Sequence, residues 1–182
     1  RNIPYQIVNG VEFFQRREIK DLVAYLKFIQ NPRDEVAFLR IVNNPPRGIG
    51  NSSVAHVTEF ARSQGWDVWT AVARADAIPG LPSRAASKLA EFVKLIDRLT
   101  ATASGPLEEL LGCVLAETGY RELFRKSSAE EDQERLANVE ELLTYARQFD
   151  EQHPEPGGLD AFLEEVSLVN DVDAWEGDDR VT

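Results

Sequence analysis

Apolar residues recur every three or four positions through most of this chain, and glycines and prolines separate one such run from the next. This spacing places apolar side chains on one face of a helix, whereas glycine and proline interrupt helices. The sequence therefore predicts a mainly α domain of several helices, with short extended segments only at Tyr5–Val8 and Arg180–Thr182. The predicted helices are Glu12–Gln30, a second from Pro32 to the break at Pro45-Pro46, Ser52–Gln64, Asp67–Arg74, Ser83–Thr102, Leu107–Glu117, Glu130–Gln152 and Leu159–Val169.

The net charge of −11 is distributed unevenly along the chain. Residues 1–50 carry eight lysines and arginines against five acidic residues, whereas residues 121–182 carry six against eighteen. An acidic surface repels nucleic acid, but a local cationic region still binds it with an affinity that depends steeply on salt. The acidic last third of the chain therefore does not exclude a DNA-binding site at the end of the basic segment, residues 1–50.

Composition also bears on the cellular setting. The chain has no apolar run of the length that a membrane span needs, so we expect no membrane partner and a cytoplasmic location. Its single cysteine, Cys113, lies in an apolar helical run and is expected to be buried and inert, which suits a reducing compartment. Because the 182 residues include no methionine, we expect a segment of a longer protein.

The segment 43–53 is the main candidate for a functional site. A Gly-Ile-Gly turn with an arginine before it leads into three N-cap-type residues and a run with helical spacing. Free N–H groups and the positive end of a helix dipole bind anions, and glycines let another backbone approach closely. The pattern predicts a binding site for a nucleic-acid phosphate, and its alternative is an ordinary turn between packed helices. The predicted DNA-contact residues are Arg47, Gly48, Ile49, Gly50, Asn51, Ser52 and Ser53.

A second glycine-centred turn, in the segment 78–89, repeats this arrangement. Two such turns about thirty residues apart are similar to helix-hairpin-helix elements, each of which holds one backbone phosphate. The second candidate set is Gly80, Ser83 as the expected N-cap, and Arg84. Because a proline lies close on either side of Gly80, we favour a simple turn between packed helices for that residue.

Several segments match one protein family in order and spacing. They are Ile3–Gly10, Phe13–Asp21, Ala24–Leu26, Asn31-Pro32, Leu39–Asn43 and Pro46–Gly50, followed by Thr118–Tyr120, Arg135–Leu142 and Phe162–Leu168. These segments resemble the UvrD/PcrA/Rep DNA helicases of superfamily 1. The resemblance covers essentially the whole chain, and its first fifty residues are the most specific part.

The resemblance implies a parent enzyme with two RecA-like motor domains and helical domains inserted into them. Residues 1–43 would be a flank of the second motor domain, 44–170 the helical accessory domain, and 171–182 the return segment to the motor domain. The terminal extended segments would then be strand remnants of the RecA-like α/β domain. The parent would be an ATP-dependent 3′ to 5′ DNA helicase of repair or replication, using ATP and Mg²⁺.

The resemblance also implies the role of this chain within that enzyme. The accessory domain would grip duplex DNA, or the junction of single and double strands, through the Gly-Ile-Gly turn, and its other partners would be the remaining helicase domains. No Gly-x-x-x-x-Gly-Lys-Ser/Thr motif occurs here, so we expect this segment alone to bind no cofactor and to hydrolyse no ATP. The alternative is a protein interaction module that packs on the motor domains or on a repair partner.

Other polar residues lack a convergent partner in the sequence. Arg16, Glu18, Lys20 and Asp21 form either a solvated helix face or a brace to the missing motor domain. The two histidines lie far apart without cysteine or paired acids at ligand spacing, so no metal site is expected. No pair of carboxylates supports acid/base catalysis.

Overall fold

The computed structural model describes the backbone of residues 11–179 and the side chains of residues 11–171. A short helical segment over 11–15 precedes the longer elements, and residues Ala75–Ala77 form a 3-10 turn. The α-helices are α1 (Arg17–Gln30), α2 (Glu35–Ile41), α3 (Asn51–Gln64), α4 (Val68–Ala73), α5 (Ser83–Thr100), α6 (Leu107–Thr118), α7 (Glu122–Arg125), α8 (Glu130–Gln152) and α9 (Gly158–Asp179). The mainly α class is thus confirmed, while the predicted terminal strands lie outside the described residues.

Most helix bounds follow the glycine and proline punctuation, but the short helix α7 was not predicted, the second helix ends at Ile41 before the Pro45-Pro46 break, and other bounds also differ. The first predicted helix is interrupted at Arg16, whose backbone is extended (φ −66°, ψ 140°). The second begins at Glu35 instead of Pro32, because the Asp34 side chain accepts a hydrogen bond from the Ala37 N–H and caps the helix there. The last continues to Asp179, ten residues further than predicted, since no glycine or proline interrupts it before residue 177.

Helix α1 is the central element of the fold. Nearly every residue from 18 to 29 is buried, with Lys20 exposed and Lys27 half-buried. A helix that is covered all round lies inside a bundle instead of on its surface. Accordingly, α1 packs against α2, α5, α6, α8 and α9.

One hydrophobic core runs through the described chain, from Phe13 to Val166. It joins α1 and α2, which belong to the predicted motor-domain flank, to the helices of the predicted accessory domain. Phe28 of α1 and Phe38 of α2, for example, both contact Phe92 of α5, with ring centroids 6.2 and 5.9 Å apart. The boundary after residue 43 stays a prediction, and the core extends across it.

The fold presents the candidate turn between two packed elements. Helix α2 packs on α1, the chain reverses over residues 42–50, and α3 then leaves to pack on α4. Both sides of the turn are therefore held by the core, while Pro46, Gly48 and Gly50 are exposed.

Candidate nucleic-acid interface

The Gly-Ile-Gly turn alternates exposed glycines with one buried side chain. Ile49 is 1% exposed and belongs to the core, whereas Gly48 and Gly50 lie at the surface. Gly48 has φ +76°, a left-handed conformation that residues with a Cβ rarely adopt. The buried isoleucine thus fixes the turn to the protein, and the glycines on either side keep its outer surface free of side chains.

Helix α3 begins without a capping side chain. Its N-cap is Gly50, which has no side chain to accept a hydrogen bond from the first turn. Within the described residues, no protein acceptor pairs with the N–H groups of Gly48, Gly50, Asn51, Ser52 and Ser53. Unpaired first-turn N–H groups and the helix dipole make such an end electropositive.

Two other amides of the turn are already paired inside the protein. The side-chain oxygen Oδ1 of Asn43 accepts hydrogen bonds from the N–H of Arg47 at 2.7 Å and of Ile49 at 3.3 Å. This corrects the expectation that the whole turn offers free N–H groups. The free groups form a smaller set, which begins at Gly48 and continues into α3.

The side chain of Arg47 also differs from the expectation, since its guanidinium points inward. It donates hydrogen bonds to the carbonyl oxygens of Ile41 at 2.5 Å and Val42 at 3.1 Å, and it also donates to the hydroxyl of Tyr25. The guanidinium carbon lies 5.3 Å from the ring centroid of Phe92, in cation–π range. The expected free cation beside the turn is therefore absent at Arg47, because this guanidinium bonds to carbonyl oxygens at the end of α2.

Asn51, Ser52 and Ser53 form the first turn of α3 and are not its cap. Asn51 and Ser52 are exposed and Ser53 is half-buried. Their side chains do not cap the helix, although their residue types are common at N-caps, because the N-cap position is occupied by Gly50. Their backbone N–H groups, together with those of Gly48 and Gly50, are what this surface offers to a ligand.

The second glycine turn lies against α3. Gly80 has φ +81°, and the Nε2 atom of His56 in α3 is 2.7 Å from the carbonyl oxygen of Pro79. Ser83 is the first residue of α5 and not its N-cap, which is Pro82. Ser83 and Arg84 are exposed. A role of Gly80, Ser83 and Arg84 in DNA binding stays a prediction, as does the helix-hairpin-helix character of both turns.

Comparison with known proteins identifies the family. A family model described as the UvrD-like helicase C-terminal domain matches residues 1–75. The ATP-dependent DNA helicase UvrD1 of Mycobacterium tuberculosis is 39% identical over 187 residues, which cover 94% of this chain and 24% of the relative. The chain belongs to the UvrD/PcrA-type superfamily 1 helicases.

Two further relatives agree with this assignment. The ATP-dependent DNA helicase PcrA of Staphylococcus aureus is 35% identical over 183 residues, covering all of this chain and 25% of the relative. UvrD1 of Mycobacterium leprae is 37% identical over 192 residues, covering 94% of this chain and 25% of the relative. This helicase segment thus spans about a quarter of the length of the curated relatives that it matches.

The helicase segment also contains two buried polar residues, for which the sequence predicted either a solvated helix face or a brace to the missing motor domain. Glu18 and Asp21 are only 5% and 4% exposed, so they do not belong to a solvated face. Glu18 accepts a hydrogen bond from Asn138 of α8 at 2.7 Å, and Asp21 accepts one from the Tyr120 hydroxyl at 2.7 Å. Burial, with the hydrogen bond to Asp21 added to it, raises the pKa of Tyr120 well above its ordinary value. The sequence feature that indicates the burial of Glu18 and Asp21 is their i, i+3 spacing among the residues of an apolar helix.

Other predictions concern features away from this surface. Cys113 is half-buried, and therefore more accessible than expected. Within residues 11–171, no group of three His, Cys, Asp or Glu side chains is placed to hold a metal ion. Among the described helices, none combines the length and apolar character that crossing a membrane requires.

Proposed function

We propose that this chain is the accessory domain of an ATP-dependent DNA helicase and that it contacts duplex DNA, or the junction of duplex and single strand. The observation that carries the proposal is the uncapped start of α3, where the N–H groups of Gly48 and Gly50–Ser53 lack an acceptor among the described residues and most of these residues are exposed. Such a surface suits a phosphate of the DNA backbone and carries no information about base sequence. The names of the related proteins, which are ATP-dependent DNA helicases, support the helicase and DNA parts of this proposal.

The contact is made by the backbone instead of by side-chain cations. With the guanidinium of Arg47 turned inward, the helix dipole and the N–H groups supply the positive potential. Few phosphates would then be neutralised by lysine or arginine, so affinity at this surface is modest. The remaining helicase domains, with ATP and Mg²⁺, supply the motor activity in the parent enzyme.

Replacing Ser52 by glutamate tests the proposal. A carboxylate in the first turn of α3 is favourable for the helix but repels a phosphate at the same place. We expect Ser52→Glu to retain the fold and to weaken binding of a fluorescent DNA duplex about tenfold at low salt, measured by anisotropy; tenfold corresponds to about 1.4 kcal/mol.

Ser63→Glu is the matched control. It makes the same change at an exposed position of the same helix, about 16 Å further along its axis. It should bind DNA within twofold of the unchanged chain. Equal affinity of Ser52→Glu and the unchanged chain would rule out the phosphate contact.

A second candidate function, a contact with protein, is favoured by helix α2. Val36 and Leu39 are large apolar residues with 80% and 50% of their surface exposed. Val36 lines a groove of about 340 Å³ between α1, α2 and α9, whose lining also includes Lys20 and Lys27. This surface suits packing on the remaining helicase domains or on a repair partner. Failure of the unchanged chain to bind duplex DNA at low salt would favour this protein-contact function over the DNA contact.

A further inference from the structure

The candidate DNA-contact turn is held from inside by a cluster of three polar residues, Tyr25, Asn43 and Arg47. Arg47 closes the C-terminal end of α2, since it donates to the carbonyl oxygens of Ile41 and Val42. Because α2 ends there, no N–H group of the helix pairs with these carbonyls, and only that of Ile41 accepts a further backbone hydrogen bond, from the N–H of Asn44 at 3.1 Å. The guanidinium therefore ties the start of the turn to the end of α2.

Tyr25 connects the same segment to the central helix. Its hydroxyl donates a hydrogen bond to the carbonyl oxygen of Asn44 at 2.6 Å and accepts one from Arg47. The side chain of Tyr25 is 0% exposed, so it cannot touch a ligand at the surface. One buried hydroxyl thus joins α1 to two points of the segment 44–47.

Asn43 fixes the path of the backbone through the turn. Its Oδ1 accepts hydrogen bonds from the N–H groups of Arg47 and Ile49, so these two amides point inward. Gly48 lies between them and has φ +76°, which leaves its own N–H without an acceptor among the described residues. With these two amides paired, the N–H groups left without an acceptor are those of Gly48 and the start of α3, at an exposed part of the turn.

We propose that Tyr25 and Asn43 are positioning residues for the phosphate contact and that Arg47 acts with them, as an internal clamp instead of a phosphate ligand. The inference rests on the proposed function, because it concerns how the turn is kept in the conformation that would bind a phosphate of the DNA backbone. Free N–H groups bind a phosphate best when they converge before it arrives, since ordering a loose turn would weaken the affinity. None of the three side chains needs to touch DNA to affect its binding.

Tyr25→Phe tests the positioning role with the smallest change available. It removes one buried hydroxyl and leaves every charge and every surface atom in place. We expect the full 182-residue chain with this change to bind duplex DNA about five- to tenfold more weakly, with a plot of log affinity against log salt parallel to that of the unchanged chain, because no cation has been lost. Amide hydrogen exchange should accelerate in residues 43–50.

Tyr120→Phe is the matched control. It also removes a buried tyrosine hydroxyl that bonds to α1, through Asp21 at 2.7 Å, but away from the turn. Tyr120→Phe should lower Tm by about 2–4 °C, the shift expected for the loss of one buried hydrogen bond in a domain of this size, and Tyr25→Phe, which loses two, by about 4–8 °C. Tyr120→Phe should bind DNA within twofold of the unchanged chain, which separates positioning from general destabilisation.

Arg47→Met distinguishes a clamp from a phosphate ligand. A lost phosphate contact would reduce the salt slope by about one, whereas a lost clamp lowers affinity and leaves the slope unchanged. A reduced slope would overturn the assignment of Arg47. If Tyr25→Phe does not fold at the assay temperature, Asn43→Ala, which removes the acceptor of two turn amides, takes its place.

The outcomes separate this inference from the proposed function. If Ser52→Glu weakens DNA binding and Tyr25→Phe binds as tightly as the unchanged chain, the positioning role is wrong and the phosphate contact stands. If neither variant changes the affinity, the phosphate contact itself is wrong. Weaker binding by Tyr25→Phe, with Tyr120→Phe unaffected, supports both.

Discussion

Asp21 accepts hydrogen bonds from two residues that come from distant parts of the chain. Its Oδ1 accepts from Nε of Arg40 in α2 at 2.8 Å, and its Oδ2 accepts from the Tyr120 hydroxyl at 2.7 Å. A buried carboxylate needs such partners, because burying an unpaired charge costs several kcal/mol. Asp21 therefore connects α1 to α2 and to the end of α6 through one side chain.

Tyr120, which donates a hydrogen bond to Asp21, makes the free energy of unfolding depend on pH in the alkaline range. The pKa of Tyr120 is raised in the folded state, mainly by burial, so its contribution is complete below the ordinary tyrosine pKa of about 10. Above that pH the unfolded chain ionises first, and the free energy of unfolding falls as pH rises.

We expect Tyr120→Phe to flatten this alkaline decline by up to about 1.4 kcal/mol per pH unit above pH 10. Urea unfolding at several pH values between 9 and 11, on both proteins, measures the difference. Parallel pH profiles for the two proteins would show that Tyr120 ionises equally easily in the folded and unfolded states.

Among the helices, α1 has the largest structural role. It is covered by α2, α5, α6, α8 and α9, and it carries Asp21, Tyr25 and the core aromatic Phe28. A domain cut after residue 43 would lack this helix and would expose the faces that pack on it. Exposed apolar surface of that kind is typical of states with helices but no fixed packing.

We therefore expect a chain of residues 44–171 to retain helical circular dichroism, to bind the dye ANS and to unfold without a sharp transition. The matched control is a chain of residues 11–179, which keeps α1 and should unfold cooperatively. A sharp thermal transition of the shorter chain, without ANS binding, would show that the core does not depend on α1.

Helix positions and the place of the turn could be predicted from the sequence because they depend on neighbours along the chain. Glycine and proline mark most helix ends, and α8 has its predicted bounds, Glu130–Gln152. The burial of Glu18 and Asp21 could not be predicted, since their partners Asn138 and Tyr120 are 120 and 99 residues away. The inward guanidinium of Arg47 likewise depends on α1 and α5, which no local pattern specifies.

For the whole molecule, the question is how an acidic protein contacts DNA. The chain carries a net charge of −11, so a broad cationic surface does not account for such a contact. The proposed answer is a small, local one, in which backbone N–H groups and a helix dipole face outward at one exposed turn. On this account affinity is modest and falls with salt, and tight binding by the parent helicase comes from its other domains.

Replacing Gly50 by aspartate tests the proposed phosphate contact at the start of α3 most directly, because it should raise stability and weaken DNA binding. Aspartate at the N-cap accepts hydrogen bonds from the first turn of α3 and complements its dipole, which should raise Tm by about 1–3 °C. The same carboxylate occupies the N–H groups offered to the phosphate. Gly50→Ala is the control, because φ is −70° there and a Cβ would have Ser52 Oγ at 3.9 Å as its nearest neighbour.

The measurement is the affinity of the full chain for a fluorescent DNA duplex at low salt, taken beside the thermal unfolding of each variant. The account predicts that Gly50→Asp is more stable and binds at least tenfold more weakly, while Gly50→Ala binds within threefold of the unchanged chain. A stabilised Gly50→Asp chain that binds duplex DNA as tightly as the unchanged protein would contradict it.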